Sequence, residues 1–379
     1  MSWRLLSIGL LSVLSLLSTA NATPIPDPPK IDAKAYLLLD INSGRVLAEE
    51  NADQRIEPAS LTKIMTAYAV FHELQAGHVA LGDEVLVSEK AWKTPGSRMF
   101  IEVGHRVKVE DLLQGLIIQS GNDAGVALAE HIAGSESAFA ELMNARAADL
   151  GMQDTHFDNA TGLPDPEHYT TARDIAKAAA AVIKEFPEYY KWYSTKQFTY
   201  GGITQKNRNK LLWRDSSVDG VKTGHTSTAG YCLVASAKRD GMRLLSVVIG
   251  AKSDNARAAA SQSLLNYGFR FYESHKLYDA GQTVRRVRVW KGDRKHLPLG
   301  PAEDVYITVP RGRYNAMKAK VLINNRILAP VRKGSTVGYV RLSLDGDDIA
   351  RIPLVALAGI KDGGIVHRLT DTVLMWFNF

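Results

Sequence analysis

Strand character appears at two places far apart in the chain, and a long helical block separates them. "AYLLLDINSGRVLAEEN", beginning at Ala35, predicts two strands joined at Asn42-Ser43-Gly44. From Ser60 to about Lys184 the apolar residues recur at helical spacing instead. From Val218 the strands return as "VDGVKTGHT", "GYCLVASAK" and "MRLLSVVIGA", the last two forming a hairpin at Arg239-Asp240-Gly241. A helix, "NARAAASQSLLNYGFRFYES", follows. Apolar strands must find partners, so the simplest assembly is one sheet built from the first and last strands. The helical block is then an insertion, and the body is α/β (α+β) with a helical lobe.

Around His275 the pattern changes again. "VRRVRVWKG", "VYITVPRG", "KAKVLIN", "STVGYVRLSLDG" and "ARIPLVALA" are short strands with regular turn signals, which predicts a small all-β domain over residues 277–360. At the other end, "MSWRLLSIGLLSVLSLLSTANATP" has one arginine, an apolar stretch and Ala20-Asn21-Ala22. That is the layout of a secretory signal peptide over residues 1–22, with an uncleaved anchor as the alternative. The body then covers residues 23–276. The formal net charge of +6 is mild, and no arginine-lysine block suggests nucleic acid. A single cysteine, Cys232, excludes an intramolecular disulfide, and its strand setting suits a buried, inert thiol.

Three short motifs stand on this framework. In "PASLTKIMTAY", Ser60 precedes Lys63 by three residues at the start of an apolar helical run, so the two side chains share a face. Ser60 could be a plain N-cap with Lys63 snorkelling outward, or a nucleophile beside its base. "QSGND" places Ser120 and Asn122 where two helices meet, and "VKTGHT" places Lys222, Thr223 and Gly224 on a strand. Each motif alone is common; the order and the settings make the set specific. Ser253-Asp254-Asn255 spells a competing Ser-Asp-Asn, but it follows the Lys-Thr-Gly strand and directly precedes a helix, so it reads as an N-cap. Thr171 and Asp174 form a capping-box pattern ahead of "IAKAAAAVIKEF".

The set S-x-x-K, S-x-N and K-T-G resembles the penicillin-recognising serine enzymes, whose domain is of the β-lactamase and transpeptidase type. With the leader, the β domain and the tail, the chain is similar to the low-molecular-mass penicillin-binding proteins that act as D-alanyl-D-alanine carboxypeptidases of bacterial cell walls. The resemblance extends over nearly the whole chain, including "LLW" before the Lys-Thr-Gly strand and "RFYES" after it. It implies removal of the terminal D-alanine from peptidoglycan pentapeptide stems through an acyl-enzyme, with covalent inhibition by β-lactam antibiotics.

The roles follow from the chemistry and the resemblance together. A serine hydroxyl needs a base within reach, and a lysine serves only when neutral, which burial and a second cation both promote. Ser60 is the expected nucleophile and Lys63 the general base, with Lys222 as a candidate for the second cation. Ser120 is expected to shuttle a proton to the departing amine, and Asn122 to orient Lys63 and bond the substrate amide. Lys222 and Thr223 would hold the terminal carboxylate, and Gly224 would let the strand approach the substrate backbone. The resemblance further implies an oxyanion hole from the N–H groups of Ser60 and His225. Arg257 looks like the family's arginine near the carboxylate, a surface salt bridge being the alternative; Arg208 in "KNRNKLLW" is similar but weaker.

No cofactor and no metal are expected, since the ten histidines include no H-E-x-x-H and no Cys/His cluster. A β-lactamase of the same fold would need a glutamate for deacylation; "TGLPDPEHYTTARD" offers Glu167 without the E-x-x-L-N pattern. The same motifs would also suit an endopeptidase, and the fold a non-catalytic wall-binding protein; the oligomeric state is left open. The tail, residues 361–379, puts Ile365, Val366, Leu369, Val373, Trp376, Phe377 and Phe379 on one helical arc and His367, Asp371 and Asn378 opposite. It is shorter than the ~20 apolar residues of a spanning helix. It therefore reads as an amphipathic helix in the membrane interface, with packing on the β domain as the alternative. Together with the leader, this predicts a peripheral protein on the periplasmic face of the inner membrane.

Overall fold

The structure is a computed structural model that describes residues 25–323 and 326–377, so the expected leader lies outside the described residues. The early and late strands do share one sheet. Its order is Val46–Glu50, Ala35–Asp40, Met242–Ala251, Gly230–Arg239 and Val218–Thr226, all antiparallel. The first strand pairs with the last hairpin across some two hundred positions, from Ala35↔Ile249 to Asp40↔Leu244. The helical block is therefore an insertion, and the strand carrying Lys222 lies at the sheet edge.

Both faces of this sheet are buried, which explains why its strands read as apolar runs rather than clean alternations. Leu37, Val234, Leu245, Val247 and Ile249 face the helical lobe, joining Leu61, Ile64, Phe71 and Ile175 in one core. Their chain neighbours Leu38, Leu233, Ala235, Leu244 and Val248 face the other way, against Leu264 and Leu265 of the helix Asp254–Phe271. Ser253 caps that helix by accepting from the Ala256 N–H at 3.1 Å, as expected of the competing motif. Thr171 likewise caps Ala172–Glu185 through the Asp174 N–H. Only half of the capping box forms, because the Asp174 carboxylate turns to the Asp154 N–H, the Thr155 hydroxyl and Lys177.

The C-terminal β domain holds a six-stranded sheet, with Val289, Leu297, Leu299, Val340 and Leu354 in its core. Strand Tyr272–Tyr278 pairs with Val305–Pro310 and runs across position 276, so the change of character at His275 falls inside a strand. Thr308 joins the two domains: its hydroxyl bonds Asp40 and Ser43, and its carbonyl accepts from Arg45 at 2.6 Å. The tail forms the helix Ile365–Phe377. Asp371 on it is 8% exposed and accepts from the Lys291 N–H at 2.5 Å. The opposite arc, with Ile365, Val366, Leu369, Val373 and Trp376, is exposed. The helix thus docks on the β domain by its polar side. Asn378 and Phe379 lie outside the described residues.

Candidate active site

Ser60 is not a helix N-cap. It sits within a 3-10 turn, Ala59–Thr62, that feeds into the helix Lys63–Gln75. The turn starts from Ala59 in the left-handed region, at φ +48°, a conformation that costs a residue with a Cβ and persists only where neighbours hold it. Lys63 then stands one turn on, 1% exposed, rather than snorkelling. Its Nζ donates to Ser60 Oγ at 3.2 Å, to Asn122 Oδ1 at 2.6 Å and to the Thr161 carbonyl at 2.5 Å.

Burial pushes the Lys63 amine down to about 7, and the Arg208 guanidinium adds to the shift; Asp123 and Glu136 oppose it. The expected combination of burial and a second cation is therefore present, with Arg208 as one such cation. Lys222 is itself pushed well below its ordinary value, first by burial and then by Lys63, Arg208 and Arg257. The two lysines therefore act on one another, and Arg208, which the sequence marked only weakly, is a further cation that acts on both.

Ser120 and Asn122 come from the junction between two helical segments, as expected. A π-helical turn, Gly115–Gln119, ends at Ser120, which adopts φ +71° and turns the chain into the helix Asn122–Ala133. Such turns often mark functional positions because they displace one residue from the regular helical register. The Ser120 hydroxyl is buried and has no hydrogen-bond partner among the described residues. The Asn122 amide is fixed at both ends: Oδ1 accepts from Lys63, and Nδ2 donates to the Pro95 carbonyl at 2.6 Å. Asp123, unremarked in the sequence, anchors the facing loop by accepting from the Met99 and Phe100 N–H groups.

Lys222 is 3% exposed and bonds only the carbonyl of Thr223, at 3.1 Å, among the described residues. Gly224 has a specific reason to lack a side chain. A Cβ there would lie 3.2 Å from the Pro58 carbonyl and 3.3 Å from the Leu61 nitrogen. The close approach it permits within the protein is to the turn carrying Ser60, and Gly224 also lines the cleft. His225 is exposed, with its ring 4.1 Å from that of Tyr231. Arg257 is buried, not a surface group: it donates to the Gly224 carbonyl at 2.9 Å and the Cys232 carbonyl at 3.2 Å, and pairs with Asp254. The Asp254 of the competing motif thus holds the arginine beside the Lys-Thr-Gly strand. Cys232 is buried on its strand, and burial raises its thiol to about 11.

Ser60, Ser120, Thr223, His225, Arg208 and Arg257 line one cleft of about 210 Å³, with Lys63 and Asn122 buried beside it. Gly224 lines it as well, and Lys222 is buried next to Thr223 on the same strand. Glu167 is exposed and does not line it. Two family models match the chain: D-alanyl-D-alanine carboxypeptidase over residues 22–253, and penicillin-binding protein 5, C-terminal domain, over residues 272–362. The chain belongs to the serine D-alanyl-D-alanine carboxypeptidases. It is 44% identical to the D-alanyl-D-alanine carboxypeptidase DacA of Escherichia coli K12, covering 94% of this chain and 90% of that one. The DacF carboxypeptidase of Bacillus subtilis is 36% identical over 99% of both. Penicillin-binding protein 5 from Haemophilus influenzae has the same fold, with a TM-score of 0.86 at 43% identity over 89% of this chain and all of that one. This carboxypeptidase therefore combines the penicillin-recognising fold with a C-terminal β domain.

Proposed function

We propose that Ser60 attacks the D-Ala-D-Ala bond of peptidoglycan pentapeptide stems, with Lys63 as its base. The observation that carries this is the setting of the Lys63 amine. Asn122 Oδ1 and the Thr161 carbonyl can only accept, so a neutral Lys63 gives them its two N–H groups. Its lone pair then faces Ser60 Oγ, the remaining neighbour. A pKa near 7 keeps a useful fraction of the amine neutral and ready to take the hydroxyl proton. The resulting alkoxide adds to the carbonyl; as the C–N bond breaks, the Ser120 hydroxyl, unengaged among the described residues, gives its proton to the departing D-alanine nitrogen and regains one from Lys63. The terminal carboxylate is taken by Lys222, Thr223 and Arg257, which face the cleft or lie beside it with no anionic ligand but Asp254. Water then attacks the ester to release the shortened stem.

A β-lactam offers an amide in the same place and is expected to trap Ser60. The test of function is release of the terminal alanine from a soluble peptide ending in D-Ala-D-Ala, against the same peptide ending in D-Ala-L-Ala. Release from the first alone supports the reading; equal release from both contradicts it.

The leader and the tail support a periplasmic protein held at the face of the inner membrane. The exposed arc of Ile365, Val366, Leu369, Val373 and Trp376 fits the apolar side of an interfacial helix, since its polar side is used by the β domain. Ending the chain at Asp362 should move the protein from the membrane pellet to the soluble fraction, with activity on a soluble peptide kept within a few-fold. Continued pelleting of the truncated protein contradicts the anchor.

A further inference from the structure

One buried titratable group next to the nucleophile has no part in the chemistry above. His168 is 2% exposed, and burial lowers it to about 4, so its ring is neutral at ordinary pH. Its tautomer follows from its partners. The Asp158 N–H can only donate, and it points at His168 Nδ1 from 3.1 Å, so Nδ1 is the acceptor. The proton therefore sits on Nε2, which donates to Thr62 Oγ1 at 2.8 Å. The Thr62 hydroxyl in turn donates to the Ala59 carbonyl at 2.8 Å. Every donor and acceptor in this chain has one complementary partner.

The far end of the relay is what gives it meaning. Ala59 is the left-handed residue directly before Ser60, and the direction of its peptide plane sets where the Ser60 N–H and side chain point. The same carbonyl is hemmed in by Gly162, at φ +81°, where a Cβ would fall only 1.8 Å from the Ala59 oxygen and 2.8 Å from Thr62 Oγ1. Gly162 is next to Thr161, whose carbonyl holds Lys63. One loop, running from Asp158 to Gly162, thus touches the nucleophile's turn and its base at once.

We propose that His168 is a positioning residue for the acylation step: its neutral ring, through Thr62, locks the Ala59 peptide that aims Ser60. The inference rests on the assignment of Ser60 as nucleophile. It separates His168 from an ordinary satisfied core histidine by predicting that its hydrogen bonds, not its bulk, set the rate. A misplacement at the nucleophile costs roughly tenfold to a hundredfold.

The test uses the full chain with His168→Phe, His168→Gln and Thr62→Val, measuring acylation by a chromogenic β-lactam and turnover of a D-Ala-D-Ala peptide. His168→Phe keeps a planar ring and loses both bonds; glutamine can still accept from Asp158 and donate to Thr62. Expected are a tenfold or greater loss in acylation rate and kcat for His168→Phe and Thr62→Val, with KM within about threefold. His168→Gln should stay within about threefold of the unaltered protein in every constant. Should His168→Phe not fold, Thr62→Val decides alone. The proposal is overturned by unaltered acylation in Thr62→Val, or by a glutamine variant as slow as a folded phenylalanine one. Failure of the unaltered protein to be acylated at Ser60 would instead overturn the nucleophile assignment.

Discussion

Lys63 is already engaged on every side, while Lys222 and Arg208 stand nearly empty. Lys63 has three acceptors, Asn122 is bonded at both ends of its amide, and the Ser60 turn is braced by Thr62 and Gly162. Among the described residues, Lys222 reaches only the neighbouring carbonyl and Arg208 has no ion-pair partner. The contrast separates two jobs. Groups that do chemistry are held before substrate arrives, so no reorganisation is needed at the moment of reaction. Groups that recognise an anion are crowded and undersatisfied until one arrives, and a bound carboxylate relieves their mutual repulsion.

The sharpest way to break this comparison is to swap the two lysines' side chains for arginine. Lys63→Arg keeps the charge but cannot give up a proton, so acylation should fall by at least about 10²–10⁴, the typical worth of a general base. Lys222→Arg should lose much less, about tenfold, and mainly in KM, because a cation alone is required there. Equal losses in both variants would erase the distinction between the two sites.

A smaller effect tests the electrostatic link between them. Acylation requires neutral Lys63, so its rate should rise with pH through about 7 and decline below it. Removing a neighbouring cation makes the protonated amine easier to keep, which raises the Lys63 pKa. Arg208→Gln should therefore move the midpoint of the acylation profile to higher pH by a fraction of a unit. A midpoint that stays in place would show that burial alone tunes Lys63.

The sequence carried the part of this site that lies in short motifs. Ser60 with Lys63 was legible because helical spacing fixes contact between residues three apart, and Lys222-Thr223-Gly224 because the strand pattern around it is strong. The sheet was legible from the return of strand character at Val218. What escaped was set by distant contacts. Arg208 matters through its distance from Lys63, which no local pattern encodes, and it is delivered by a hairpin, Gln197–Tyr200 with Ile203–Lys206. That hairpin did have a signal, Gly201-Gly202 between short alternating segments. His168 gave none: it acts through Thr62, more than a hundred residues earlier in the chain. Gly224 was legible as a point of close approach, but its contact with the Ser60 turn was not, since a glycine on a strand says that something comes close but not what.

The central claim is that Ser60, held against Lys63, is the group that becomes acylated. Brief incubation with benzylpenicillin, followed by digestion and mass spectrometry, tests it most directly. One penicilloyl adduct on the peptide containing Ser60, absent from Lys63→Arg under the same conditions, is the predicted result. An adduct on any other residue, or an equal yield in the arginine variant, would contradict it.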